Sequence, residues 1–160
     1  MAIRGTTGGN GPGLLDEVNK AIIEQLQSDG RQSYGSIAQA VGLSEAAVRQ
    51  RVQRLRESGV IQIVAVTDPL QVGFNRQAMV GICVDGDVRR VAEKLAAVRE
   101  IDYVVHCAGS YDLLVELVCE DDDHLLDVLN TAIRSIPGVR STETFMYLRL
   151  VKQTYTWGVR

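Results

Sequence analysis

The apolar residues of this chain keep two different periods, and the change between them limits what it can fold into. Up to residue 59 they recur every three or four positions, at Leu14, Leu15, Val18, Ile22, Ile23 and Leu26 and again at Val48, Val52 and Leu55. That spacing gathers side chains on one face of a helix. From Gln77 they fall into short runs rich in β-branched residues, 78–84, 101–107, 113–118 and 139–151, interrupted by two amphipathic stretches, 88–98 and 122–135. No single layer satisfies both patterns. The order predicts an α+β chain: a helical domain, then a βαββαβ unit of the ferredoxin-like kind.

Punctuation refines the helical part. Ser28-Asp29-Gly30 stops a first helix, Ser33 stands where a cap is needed for a second over 34–41, and Gly42 ends that one. Ser44 caps a third helix running to about Ser58, and Gly59 is the left-handed residue expected after its last turn. Two capped helices joined across a glycine turn make a helix-turn-helix. The run 60–66 reads as a strand or wing, and Thr67-Asp68-Pro69 opens a linker. The expected organisation is a Gly-rich disordered arm over 1–13, a winged helix-turn-helix domain over 14–66, a linker over 67–76, a ferredoxin-like domain over 77–152, and a tail over 153–160.

Charge points to the partner of the first domain. The chain is acidic overall, with 17 Lys and Arg against 20 Asp and Glu, yet residues 30–59 hold five arginines against two glutamates. Such a local excess suits an anionic partner. On a helical wheel Val48, Val52 and Leu55 share the inner face of the third helix. Ala46, Gln50, Gln53 and Arg54 point away, flanked by Arg49, Arg51 and Arg56. A helix lying in a major groove needs small residues near its N-terminus, amide and guanidinium groups outward, and cations at the margins for phosphates. Ser44, Glu45, Ala46, Arg49, Gln50, Arg51, Gln53 and Arg54 are therefore the candidate contacts to double-stranded DNA. A solvated helix with arginines for solubility is the alternative, but it needs neither the glycine turn nor the capped partner helix.

A turn in the second domain carries the other candidate chemistry. In Ala108-Gly109-Ser110-Tyr111-Asp112, a glycine at positive φ would let the Gly109 and Ser110 amides converge on a carboxylate while Asp112 faces an ammonium. An amino acid presents both charges. Thr142 and Thr144, on the last strand, are secondary candidates. An ordinary hairpin turn, with Tyr111 packed on the sheet and Asp112 closing the turn, accounts for the same residues.

Other chemistry finds little support. Cys83, Cys107 and Cys119 are odd in number and lack a C-x-x-C spacing, so they read as reduced structural thiols. The acidic run 120–123 precedes a helix whose dipole favours it. Ser110 sits in no G-x-S-x-G elbow, and no phosphate loop follows a strand. Neither enzyme activity, cofactor nor metal is expected. No apolar run is long enough for a membrane span or a signal core, so a cytoplasmic protein is expected. A small-molecule-sensing module of a metabolic enzyme is the rival class, against which the basic helix-turn-helix argues. A DNA-organising protein without effector response is the other.

The pattern L-S-x-x-x-V-x-x-R-V-x-R-L-x-x-x-G-V-I over 43–61, the βαββαβ order and the Gly109-Ser110-Tyr111-Asp112 turn together resemble the Lrp/AsnC (leucine-responsive, feast/famine) transcription regulators. The resemblance runs from Leu14 to about Lys152. It implies a sequence-specific regulator forming homodimers and higher oligomers through the second domain, with an amino-acid effector site shared between subunits at the turn. It also implies phosphate contacts by Arg49, Arg51 and Arg54. Two positions depart from the pattern. Tyr34 adds an aromatic where a small polar residue often opens the second helix, and Glu45-Ala46-Ala47 replace hydroxyl or amide side chains, so no base preference carries over.

Overall fold

The computed structural model describes residues 14–154 and 158–159, so the Gly-rich arm and part of the tail lie outside it. The chain divides into a helical unit ending at Ala65 and a second unit, Val66–Lys152.

The helical unit contains α1 (Glu17–Ser28), α2 (Tyr34–Val41) and α3 (Glu45–Glu57). Each begins where a short polar side chain accepts from an otherwise orphan amide: Asp16 from Asn19, Ser33 from Ser36 and Ser44 from Ala47. Because Asp16 is the cap, α1 starts after Leu14 and Leu15, which form a turn ahead of it. Gly42 at φ 70° and Gly59 at φ 75° follow α2 and α3 in the left-handed region. Ile22, Ile37, Val48, Val52 and Leu55 are fully buried between the three helices, each contributing roughly 1.5–3 kcal/mol by leaving water.

The expected wing is not a strand. Residues 61–68 carry no regular structure, and Ile63, Val64 and Val66 are exposed. β-branched residues favour an extended backbone, but a strand also needs another edge for its hydrogen bonds, and none of the described residues supplies one here. The linker, by contrast, is more ordered than expected. Pro69–Val72 form a 3₁₀ turn capped by Asp68, and Asn75 donates to the Glu120 carbonyl from both its backbone (3.3 Å) and its side chain (3.0 Å).

The second unit has the predicted order: β1 (Arg76–Val84), α4 (Val88–Leu95), β2 (Ile101–His106), β3 (Leu113–Cys119), α5 (Asp122–Asp127) and β4 (Val139–Met146). Its sheet runs β2-β3-β1-β4 with every neighbouring pair antiparallel. α5 continues as a π-helix over Val128–Ile133. β4 stops well short of residue 151 because its partner runs out: Ala78 faces Met146, and Tyr147 donates the last bond to Gln77.

Strand alternation gives the sheet two unlike faces. Ala78, Val80, Ile82, Leu113, Val115 and Leu117 are fully buried against Val91, Leu95, Leu129 and Ile133 from the helices. Met79, Gly81, Leu114, Glu116, Glu143 and Phe145 occupy the opposite face. There the Tyr111 ring lies on Gly81 so closely that a Cβ at residue 81 would sit 2.7 Å from it, which is why this strand position is glycine. Among the described residues no helix is long and apolar enough to cross a membrane, and no group of three His, Cys, Asp or Glu gathers to hold a metal ion. Cys119 is buried, and its thiol is pushed up to about 11, by burial first and then by the charges of Glu100 and Asp121.

Candidate nucleic-acid interface and effector turn

α3 separates its residues as its spacing requires. Val48, Val52 and Leu55 are buried, while Glu45, Ala46, Arg49, Gln50, Gln53 and Arg54 are exposed. Ser44, also exposed, spends its hydroxyl on the Ala47 N–H at 3.2 Å. Gln53 donates to Glu57 at 2.8 Å. Arg49 donates to Glu45 at 2.7 Å, and its guanidinium carbon lies 5.1 Å from the centroid of the Tyr34 ring. Arg54 and Arg56 have no carboxylate within ion-pair distance among the described residues. The outward surface is thus a strip of amide and guanidinium groups on a rigid, capped helix, which suits base edges and phosphates.

Arg51 is placed elsewhere than the wheel suggested. It donates to Asp16 at 2.7 Å and to the buried Asn19 at 3.0 Å, fastening α3 to the start of α1. A flank position on the wheel faces whatever the fold brings there, and here that is the α1 cap, 35 residues away in sequence. Its charge is matched within the unit. The Asp16 carboxyl is held below its usual pKa, chiefly by the Arg51 hydrogen bond and then by the Asn19 amide. A depressed carboxyl pKa means stabilisation that is present above the unfolded-state value and lost as pH falls through the folded-state value. Arg51→Ala is therefore expected to cost about 0.5–1 kcal/mol at neutral pH, as partly exposed pairs do. That difference from the wild type should close as the acid range is entered, and thermal melts of the two chains across pH check it. A deficit that persists below the folded-state pKa of Asp16 would mean that Arg51 stabilises by packing instead.

The candidate effector turn departs from expectation at two points. Gly109 does not adopt positive φ, and a Cβ there would meet nothing within 4 Å, so no turn geometry demands glycine. Asp112 is already part of the sheet: its carboxylate accepts from the Val84 N–H at 2.8 Å, beside the irregularity between Cys83 and Val84. Its backbone N–H donates to Ile82, and its carbonyl accepts from Cys107. The Tyr111 hydroxyl bonds the Glu143 carboxylate, which raises the phenol pKa, and the ring packs edge-on to Phe145 at 6.1 Å. The Gly109 and Ser110 amides have no hydrogen-bond acceptor among the described residues. The Ser110 carbonyl accepts from Cys83, and Ala108 is exposed.

Thr142 and Thr144 are not brought to this turn's aromatic side. They stand opposite Ile82 and Val80, on the helix-covered face, where Arg134 donates to the Thr142 hydroxyl at 3.0 Å. Tyr111 lies on the other face. Two residues apart on one strand, both threonines share a face, the one away from Tyr111.

Residues 15–56 match the AsnC-type helix-turn-helix domain, and residues 74–160 match a C-terminal dimeric alpha+beta barrel domain. The HTH-type transcriptional regulator FL11 of Pyrococcus furiosus is 38% identical over 144 residues, covering 89% of this chain and 95% of that protein. The structure of Escherichia coli AsnC is similar at a TM-score of 0.79 and 25% identity, covering 89% and 97% of the two chains. A transcriptional regulator from Neisseria meningitidis, solved as an L-Met complex, is similar in fold at a TM-score of 0.78 and 23% identity, covering 88% and 94%.

Proposed function

The chain belongs to the AsnC family of helix-turn-helix transcriptional regulators, and from that premise we propose that it is a sequence-specific, effector-responsive DNA-binding homo-oligomer. The exposed strip of α3, with Arg49, Gln50, Gln53 and Arg54 outward over a fully buried Val48-Val52-Leu55 face, carries the reading. Two such helices in a dimer would meet two half-sites of a duplex. Among the described residues of the second unit no helix covers the sheet face bearing Met79, Leu114 and Phe145, and pairing with a second copy would bury it.

The effector is expected to be an amino acid held at residues 108–112. The Gly109 and Ser110 amides, which have no acceptor among the described residues, are free to donate to a carboxylate even though Gly109 lacks the positive φ of an anion nest. That the Neisseria meningitidis neighbour was solved with L-Met is compatible with such a ligand in this fold. A second reading, a DNA organiser that senses nothing at this turn, draws on one observation: the Asp112 carboxylate already serves Val84.

Selection of duplexes from a randomised pool, with and without an amino-acid mixture, tests both. A defined motif whose enrichment changes with one amino acid is the expected result. A motif insensitive to every amino acid would favour the organiser. No enriched motif at all would sink sequence-specific recognition.

A further inference from the structure

Tyr34 opens α2 and Glu45 opens α3, and the fold brings both onto one side chain. The Arg49 guanidinium lies over the Tyr34 ring, 5.1 Å from its centroid, and donates to Glu45 Oε1 at 2.7 Å. The second Glu45 oxygen lies beside Gly35, 3.5 Å from where a Cβ would stand, so the carboxylate rests on the first turn of α2 as well. The Tyr34 ring is itself half-buried and packed against the helical core. Arg49 and Glu45 are exposed, at 62% and 55% of their side-chain surface. An arginine so exposed ordinarily samples many rotamers. This one is held on two sides, by the half-buried Tyr34 ring packed on the core and by a carboxylate one helical turn away.

We propose that Tyr34 is a positioning residue for DNA recognition: its ring, with Glu45, pre-sets Arg49 to read a base edge rather than only to neutralise a phosphate. Three features support the assignment. Arg49 lies in the N-terminal half of α3, the part of a groove-lying helix that reaches base edges. A guanidinium over an aromatic ring keeps available the in-plane donors that Glu45 does not engage, and the commonest specific use of that fork is a bidentate pair with guanine O6 and N7. The neighbouring Glu45 carboxylate repels phosphate oxygens but can accept from cytosine N4, so the pair favours a G·C edge over a bare backbone. Arg54 and Arg56, without carboxylate partners among the described residues, remain for phosphates.

The inference rests on α3 being the recognition helix, and the test separates the two. Full-length protein is assayed on the duplex that the wild type enriches from a randomised pool and on a shuffled duplex of equal length, over a range of salt. The readouts are the specific-to-shuffled affinity ratio and the salt slope. Partial unfolding of a variant lowers both affinities alike and cancels in the ratio. Arg49→Ala is expected to lower the ratio about tenfold or more, and Tyr34→Leu about threefold to tenfold, both with little change in salt slope. Tyr34→Phe keeps the ring and should keep the ratio.

A wild-type ratio in Tyr34→Leu, with Arg49→Ala reduced, overturns the role of Tyr34 and leaves α3 as the reader. A Tyr34→Phe loss equal to that of Tyr34→Leu also overturns it, since the hydroxyl and not the ring would then matter. An Arg49→Ala chain that keeps its ratio but loses about one unit of salt slope makes Arg49 a phosphate contact and overturns the base-reading assignment. An Arg49→Ala chain unchanged in both readouts removes Arg49 from the DNA interface altogether.

Discussion

A chain carrying both Arg49→Ala and Arg54→Ala should bind its selected duplex at least about thirtyfold more weakly, ~2 kcal/mol, with its fold intact. Both side chains are exposed on the outer strip of α3, and neither contributes to the Val48-Val52-Leu55 face that holds the helix in place. Removing them deletes two of the four arginines on this helix while its core and caps remain. Residual binding should also depend less steeply on salt, because fewer counterions are released per complex. Mobility shifts at several salt concentrations, beside a thermal melt, give the result. Unchanged affinity in a folded double variant would mean that α3 does not enter the groove.

What could be read in the residues beforehand was whatever a few neighbours decide among themselves. Ser33, Ser44, Gly42 and Gly59 act within one turn of chain, so the bounds of α2 and α3 came out as expected. The βαββαβ order is likewise written in local periods. Two of the differences turn on partners far away. Whether 60–66 becomes a strand depends on an edge that the described residues do not provide, and whether Arg51 meets phosphate or carboxylate depends on Asp16, 35 residues before it. The π-helix after α5 shows a different limit: its backbone departs from the α-helical pattern while Val128, Leu129 and Ile133 all stay buried, so the apolar pattern gives no warning.

The candidate effector turn shows how chemistry can be legible while geometry is not. Gly109 permits positive φ but the backbone does not use it, and Asp112 has the charge for an ammonium but also a structural bond to keep. Simple truncation therefore cannot isolate its role. Asp112→Ala strands the Val84 N–H as well as removing the charge, and should cost about 1–3 kcal/mol of stability. Asp112→Asn is the cleaner change, since its amide oxygen can still accept from Val84 while the negative charge is gone. If residues 108–112 hold an amino acid, calorimetry on wild-type protein should find one that binds. Its affinity should then fall by about tenfold or more in Asp112→Asn, at a melting temperature close to wild type, because a charge-assisted bond to the ammonium is lost. DNA affinity without effector should stay the same, because the change lies in the second unit and α3 in the first. Equal amino-acid binding by the wild type and Asp112→Asn would leave Asp112 as a clamp between β3 and the end of β1. The ammonium would then have to be met by another group, and the Glu143 carboxylate bonded to Tyr111 is the nearest candidate by chemistry.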